Sequence, residues 1–193
     1  MKERAEKIGG SSAVKGTLVQ AHLEWAQEQV PDLLKRLGQH LEGECRETVL
    51  RGVLATDWVP LQCLVAIDRA LADATGADPE KAFEAMGRHS AERNLRGVYK
   101  DFVADEPHRF FERMSFLHRR FMNFGRSGYE KTGPRRGRIT LDGYPEYSPV
   151  ICASGRGYYQ AALAMMQVPG PVRVVEETCI CAGDPACRFE LSW

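Results

Sequence analysis

The sequence predicts an α+β fold in which a helical N-terminal part packs on a small antiparallel sheet and the chain closes in a β-α-β-β unit. Three observations carry this. Apolar residues recur at helical spacing up to about residue 124. After Gly125 the pattern turns to short β-favouring runs around one helix rich in small residues. The terminal stretch EETCICAGDPACRFELSW, residues 176–193, then reads as a hairpin about Gly183-Asp184-Pro185, because Gly-Asp-Pro is turn chemistry. Helices segregated from a small sheet define the class.

Taken in order, residues 1–13 are charged, bear Gly and Ser, and lack periodicity, so a flexible arm is expected there and one domain over 14–193. Leu18, Val19, Ala21 and Trp25 form an apolar helical face from Val14, which Pro31 should end near Val30. Helices follow over Asp32 to Leu41 and Glu44 to Leu54. Thr56 and Asp57 offer a cap for a long helix carrying Trp58, Leu61, Leu64, Ile67 and Leu71, ending at Gly76. Asp78-Pro79 starts the next helix, with Asp as cap and Pro in the first turn. Phe110, Met114, Leu117 and Phe121 make one stripe of a helix from about Pro107 to Phe124. A Gly, Pro and Arg-rich loop is expected over 125–138, then strands at RITLDGY and EYSPVI, a helix at GRGYYQAALAMM, and the hairpin strands VRVVEETCI and ACRFELSW.

At 193 residues and 44% hydrophobic, the chain has enough apolar side chains for one good-sized core. No apolar run is long enough to span a bilayer, and MKERAEKIGGSS lacks the apolar segment of a secretory signal, so a cytoplasmic protein with reduced thiols is expected. Basic and acidic residues balance at 26 each, which gives no global pull toward nucleic acid. Residues 106–138 carry nine Lys/Arg against three Glu, readable as a solvated helix face with a basic loop or as a docking surface.

Three of the six cysteines crowd the tail. Cys179 and Cys187 flank the turn, and Glu176 and Cys152 are near enough in the expected fold to complete a tetrahedral ligand set. By spacing alone a metal site, buried free thiols and a disulfide all stay open, and Cys181 reads as either a ligand or an exposed thiol.

The stretch Cys152-Ala-Ser154-Gly-Arg156-Gly157-Tyr, followed by Glu176-x-x-Cys179-x7-Cys187-x-Phe189, resembles the C-terminal half of 4-vinyl reductase (V4R) domains. It is most similar to the zinc-bearing sensor domains of phenol- and xylene-responsive activators, and the run from VKGTLVQ to FELSW also resembles an uncharacterised family of standalone myxobacterial proteins. The resemblance covers 14–193 in organisation and is specific over 150–193. It implies a zinc ion on Cys152, Glu176, Cys179 and Cys187, closed and therefore structural, and a homodimer built through the helices. The wider superfamily includes haem nitric-oxide-binding domains and TRAPP tethering subunits. His118 falls on the segment that ligates haem iron in the former, but their Tyr-x-Ser-x-Arg motif reads Cys152-Ala-Ser154-Gly-Arg156 here, which counts against haem.

Function is then expected in a pocket between helices and sheet, with Phe102, Phe110, Phe111, Met114, Leu117 and Phe121 as candidate lining or as plain core. His22, His40, His89 and His108 share no ligand spacing and read as surface or capped residues, and no tryptophan lies between Trp58 and Trp193 to anchor a phenol. No nucleophile-and-base arrangement or phosphate loop appears, so an enzyme is not the leading reading. The leading reading is a zinc-stabilised, non-catalytic domain that senses a small apolar molecule and signals through dimer contacts and a partner protein. The alternatives are a tetrapyrrole-related reductase or its accessory, and a TRAPP-like scaffold docking through residues 109–138.

Overall fold

The computed structural model describes residues 12–97, 99–103, 106–144 and 148–193, except the side chains of Phe102, Phe116 and Leu117. Its elements are β1 (Ala13–Lys15), α1 (Gly16–Gln27), α2 (Leu33–His40), α3 (Gly43–Arg51), β2 (Trp58–Pro60), α4 (Leu61–Thr75), α5 (Pro79–Arg96), α6 (Lys100–Val103), α7 (Pro107–Phe121), β3 (Arg126–Gly133), β4 (Arg136–Asp142), α8 (Pro149–Met165), β5 (Arg173–Thr178), a 3-10 turn (Ile180–Ala182) and β6 (Cys187–Ser192). The α+β class is as the sequence predicts.

Helix starts follow their caps. Asp78 Oδ1 accepts from Lys81 N at 3.1 Å, with Pro79 in the first turn of α5. Glu106 accepts from His108 N at 3.0 Å and Arg109 N at 3.3 Å at the start of α7. Both satisfy amides that a helix leaves unpaired.

Four expectations are corrected. Of the predicted arm, residues 1–11 lie outside the described residues, but Ser12 accepts from Leu61 N at 2.8 Å and Ala13 N donates to Asn123 Oδ1 at 2.7 Å. Trp58 is not helical: Asp57 closes a turn by accepting from Leu54 N at 3.0 Å, and β2 pairs antiparallel with β1, putting Lys15 Nζ 4.1 Å from the Trp58 ring centroid. The loop expected over 125–138 is largely β3, paired with β4 through Tyr129↔Ile139. The strand expected at EYSPVI falls partly on residues 146–147, outside the described residues, and its remainder is the first turn of α8, capped by Ser148 Oγ.

The C-terminal sheet runs β3-β4-β6-β5, antiparallel throughout. Ile139 and Leu141 on β4 and Cys187, Phe189 and Leu191 on β6 alternate inward, the period-two pattern of a sheet with one covered face.

Helices α5 and α8 make the most extensive contact between described elements. Two glycines permit it: a Cβ at Gly87 would lie 1.8 Å from the Ser154 carbonyl oxygen, and one at Gly157 would lie 2.0 Å from that of Glu84. The obstacles are backbone, so rotamer changes cannot relieve them. Gly87→Ala and Gly157→Ala are each expected to lose at least about 2 kcal/mol, within the range for overpacked cores, measured by guanidinium unfolding against a Gly128→Ala control, where nothing stands within 4 Å.

Candidate functional site

Two sites share helix α8. The first is a thiol cluster. Cys152 sits within α8, not before it as expected, and is buried together with Cys187 at the start of β6. Cys152 Sγ lies 3.6 Å from Cys179 Sγ and 3.7 Å from Cys187 Sγ. One ligand atom from each of Cys152, Glu176, Cys179 and Cys187 falls within 4.8 Å of every other, so the four residues picked from the sequence are brought together. The loop is preset for this: Cys179 N donates to Asp184 Oδ2 at 2.9 Å, Asp184 N returns to the Cys179 carbonyl at 3.2 Å, and Ile180 N donates to Cys187 Sγ at 3.2 Å. Glu176 Oε1 is buried with no hydrogen-bond partner among the described residues. Burial, and then the Glu176 carboxylate, push the Cys179 thiol up to about 11. Cys181 is exposed on the 3-10 turn, outside the four. The remaining two cysteines, Cys45 and Cys63, are joined across α3 and α4, a bond not anticipated when all thiols are taken as reduced.

The second site is a cavity of about 130 Å³ between the N-terminal helices and the sheet. Its walls come from α1, α4, α5, α7, β3, β4 and α8. Of the lining expected, Phe111, Met114 and Phe121 are on the wall. Phe110 is fully buried in the core against Phe111, ring centroids 5.0 Å apart. The side chains of Phe102 and Leu117 lie outside the described residues.

Several polar groups interrupt this apolar lining. His118 Nε2 lies 3.2 Å from the Phe124 carbonyl and 3.5 Å from Tyr144 Oη. Burial holds the His118 imidazole below its ordinary value, and Arg119 adds to this while the Phe124 carbonyl opposes it. Tyr144, Tyr158 and Tyr159 are pushed well above the usual phenol range, chiefly by burial, so they line the cavity as neutral phenols.

On the helical wall, His22 Nδ1 and Asp68 Oδ1 are 2.8 Å apart, with the residues 2% and 1% exposed. Asn94 Nδ2 donates to Ser90 Oγ at 3.3 Å, and both are also on the lining. The expectation of surface or capped histidines is thus corrected at His22 and also at His108, which is buried between Tyr129 Oη at 2.6 Å and the Pro134 carbonyl at 3.0 Å. His22 and Asp68 carry no motif. Their signal in the sequence is only that each interrupts the apolar face of its own helix.

No family model and no curated protein matches the chain. Solved structures do. An H-NOX protein from S. oneidensis in the Fe(II)NO state aligns with TM-score 0.71 at 13% identity, covering 92% of this chain and 98% of that one. An H-NOX protein from K. algicida aligns with TM-score 0.68 at 9% identity, covering 92% and 95%. An oxygen-binding H-NOX domain related to soluble guanylate cyclases aligns at 0.65 and 14%, covering 92% of each chain. The chain therefore has the H-NOX fold. The zinc cofactor expected from the sequence is corrected by this likeness: the structures sharing the fold are described as H-NOX proteins in Fe(II)NO or oxygen-bound states, one of them from work on haem redox potential and porphyrin distortion, and not as zinc proteins.

Because the folded imidazole of His118 is harder to protonate than the unfolded one, its contribution to stability is complete above the ordinary value of 6.5 and is lost as pH falls below it. Guanidinium melts at pH 7.5 and 5.5 should show a smaller drop for His118→Gln than for the parent chain.

Proposed function

We propose that this chain is a non-catalytic ligand-sensing domain whose ligand is a small apolar molecule held between the helical part and the sheet. The observation that carries this is the cavity itself, walled by both halves of the fold. Its volume is of the order at which an apolar protein cavity admits benzene, about 150 Å³. A molecule there touches α1, α4 and α7 on one side and β4 and α8 on the other, so occupancy alters how the halves pack.

The haem of the structural neighbours does not fit these residues. The cavity is of single-ring size, well below a porphyrin. Arg156, which would stand in the Tyr-x-Ser-x-Arg position, is held by Glu80 and Glu84, and Cys152 at the tyrosine position belongs to the thiol cluster. His118 Nε2 already faces the Phe124 carbonyl. The same size limit speaks against a tetrapyrrole reductase. The basic stretch is partly neutralised by Arg126–Asp142 and by Arg138 with Glu130 and Glu190, which weakens the scaffold alternative.

Within the H-NOX fold, the nearer kinship to V4R sensors is supported by Cys152, Glu176, Cys179 and Cys187, which converge as a ligand set. The two sulfur pairs stand at 3.6 and 3.7 Å, and Glu176 Oε1 is buried without a hydrogen-bond partner among the described residues. We read the cluster as a structural metal clasp. Output through a dimer on the helical part is supported by Leu34, Leu50 and Leu54, which are 46%, 52% and 65% exposed.

Toluene should raise the melting temperature in a concentration-dependent way, by about 2.7 kcal/mol of added stability at a hundredfold excess over Kd. Met114→Trp, which fills the cavity, should abolish the rise while melting cooperatively. No shift in the parent protein with toluene or with any single-ring alcohol or amine would sink the sensing reading. For the clasp, one equivalent of cobalt(II) should give thiolate-to-metal absorption and tetrahedral visible bands, lost in Cys187→Ser. Their absence from the reduced parent protein would remove the metal reading and leave the cavity reading intact.

A further inference from the structure

We infer that the cavity selects ligands carrying a hydrogen-bond donor, an alcohol O–H or an amine N–H, and that Asp68 Oδ2 is the atom that accepts it. The inference rests on the ligand-sensing reading above and adds the chemical class of the ligand.

Asp68 is on α4, 1% exposed, and on the cavity wall. Its Oδ1 is engaged by His22 Nδ1 at 2.8 Å, while Oδ2 has no hydrogen-bond partner among the described residues. A buried carboxylate oxygen without a donor is strongly unfavourable, so a site that keeps one has a donor to meet it. Asp68 shares the cavity wall with Leu18 and Leu64, which offer no donor, and with Ser90 and Asn94, which bond each other, so a donor brought by a ligand is the one this wall lacks. His22 is a positioning residue: by bonding Oδ1 it fixes the carboxylate and leaves Oδ2 for the ligand.

A water can satisfy the same oxygen. That does not weaken the selectivity, because a ligand entering this wall must either replace the water's hydrogen bond or leave Oδ2 bare. A site built to bond an O–H or N–H rejects the isostere that lacks it. A carboxylate ligand is excluded by repulsion from Asp68. The volume limits the rest of the molecule to about one ring, which leaves single-ring alcohols and amines.

The test measures Kd for toluene, benzyl alcohol and benzylamine on the full chain by calorimetry, with Met114→Trp as the control that removes cavity binding. Benzyl alcohol or benzylamine should bind at least tenfold tighter than toluene, and a marked preference for benzylamine over benzyl alcohol would show that charge is read as well. In Asp68→Asn, whose amide can turn a donor toward the ligand, the preference should fall below threefold while toluene affinity stays within threefold. Toluene binding as tightly as both donors in the parent protein would overturn the inference and leave the sensing reading standing. Failure of all three to bind would overturn both. A preference undiminished in folded Asp68→Asn would overturn the role of Asp68. Should Asp68→Asn not fold, the three-ligand comparison in the parent protein still decides whether a donor is read.

Discussion

The crossing of α5 and α8 is the constraint on which both sites depend. Two glycines let the backbones meet, with the Ser154 carbonyl over Gly87 and the Glu84 carbonyl over Gly157. That contact fixes α8 in translation as well as rotation, because a carbonyl in the place of a missing Cβ tolerates no sliding. Cys152, Ser154, Tyr158 and Tyr159 are all on this helix, so one packing event sets a ligand of the thiol cluster and a wall of the cavity together. Arg156, on the same stretch, ties α8 back to Glu80 and Glu84 and strengthens the register.

What the sequence made legible was what local chemistry determines. Asp78-Pro79 caps α5 because an acidic side chain reaches its own N3 amide. The tail hairpin follows from Gly183-Asp184-Pro185, and Cys179 and Cys187 converge because they flank it. The strand β3 was missed because Gly128 and Gly133 read as loop and because its exposed positions leave no apolar alternation to detect. Trp58 was assigned to a helix because Thr56 and Asp57 look like a cap, whereas Asp57 spends its carboxylate on Leu54 N three residues back.

The polar wall of the cavity was illegible for a different reason. His22 and Asp68 are 46 residues apart, and neither local spacing nor motif links them. Each sits where its helix calls for an apolar residue, which sequence alone reads as noise in a periodic pattern. Only the packing of α1 against α4 turns two interruptions into one buried pair, just as only the fold brings Ser115 and Ser127 within 3.4 Å.

In the proposed sensor, the thiol cluster and the His22–Asp68 pair fall on opposite sides of the cavity. The cluster ties α8 to β5 and β6, and Tyr159 extends the tie by packing edge-on against Phe189 at 5.5 Å and Phe111 at 6.2 Å. The opposite wall, α1 and α4, is held by apolar side chains, by the Cys45–Cys63 bond between α3 and α4, and by a His22–Asp68 pair whose Oδ2 has no hydrogen-bond partner among the described residues. On the proposed reading, a ligand that satisfies Asp68 alters the packing of α1 and α4, and α4 is joined through Cys45–Cys63 to the helix that bears Leu50.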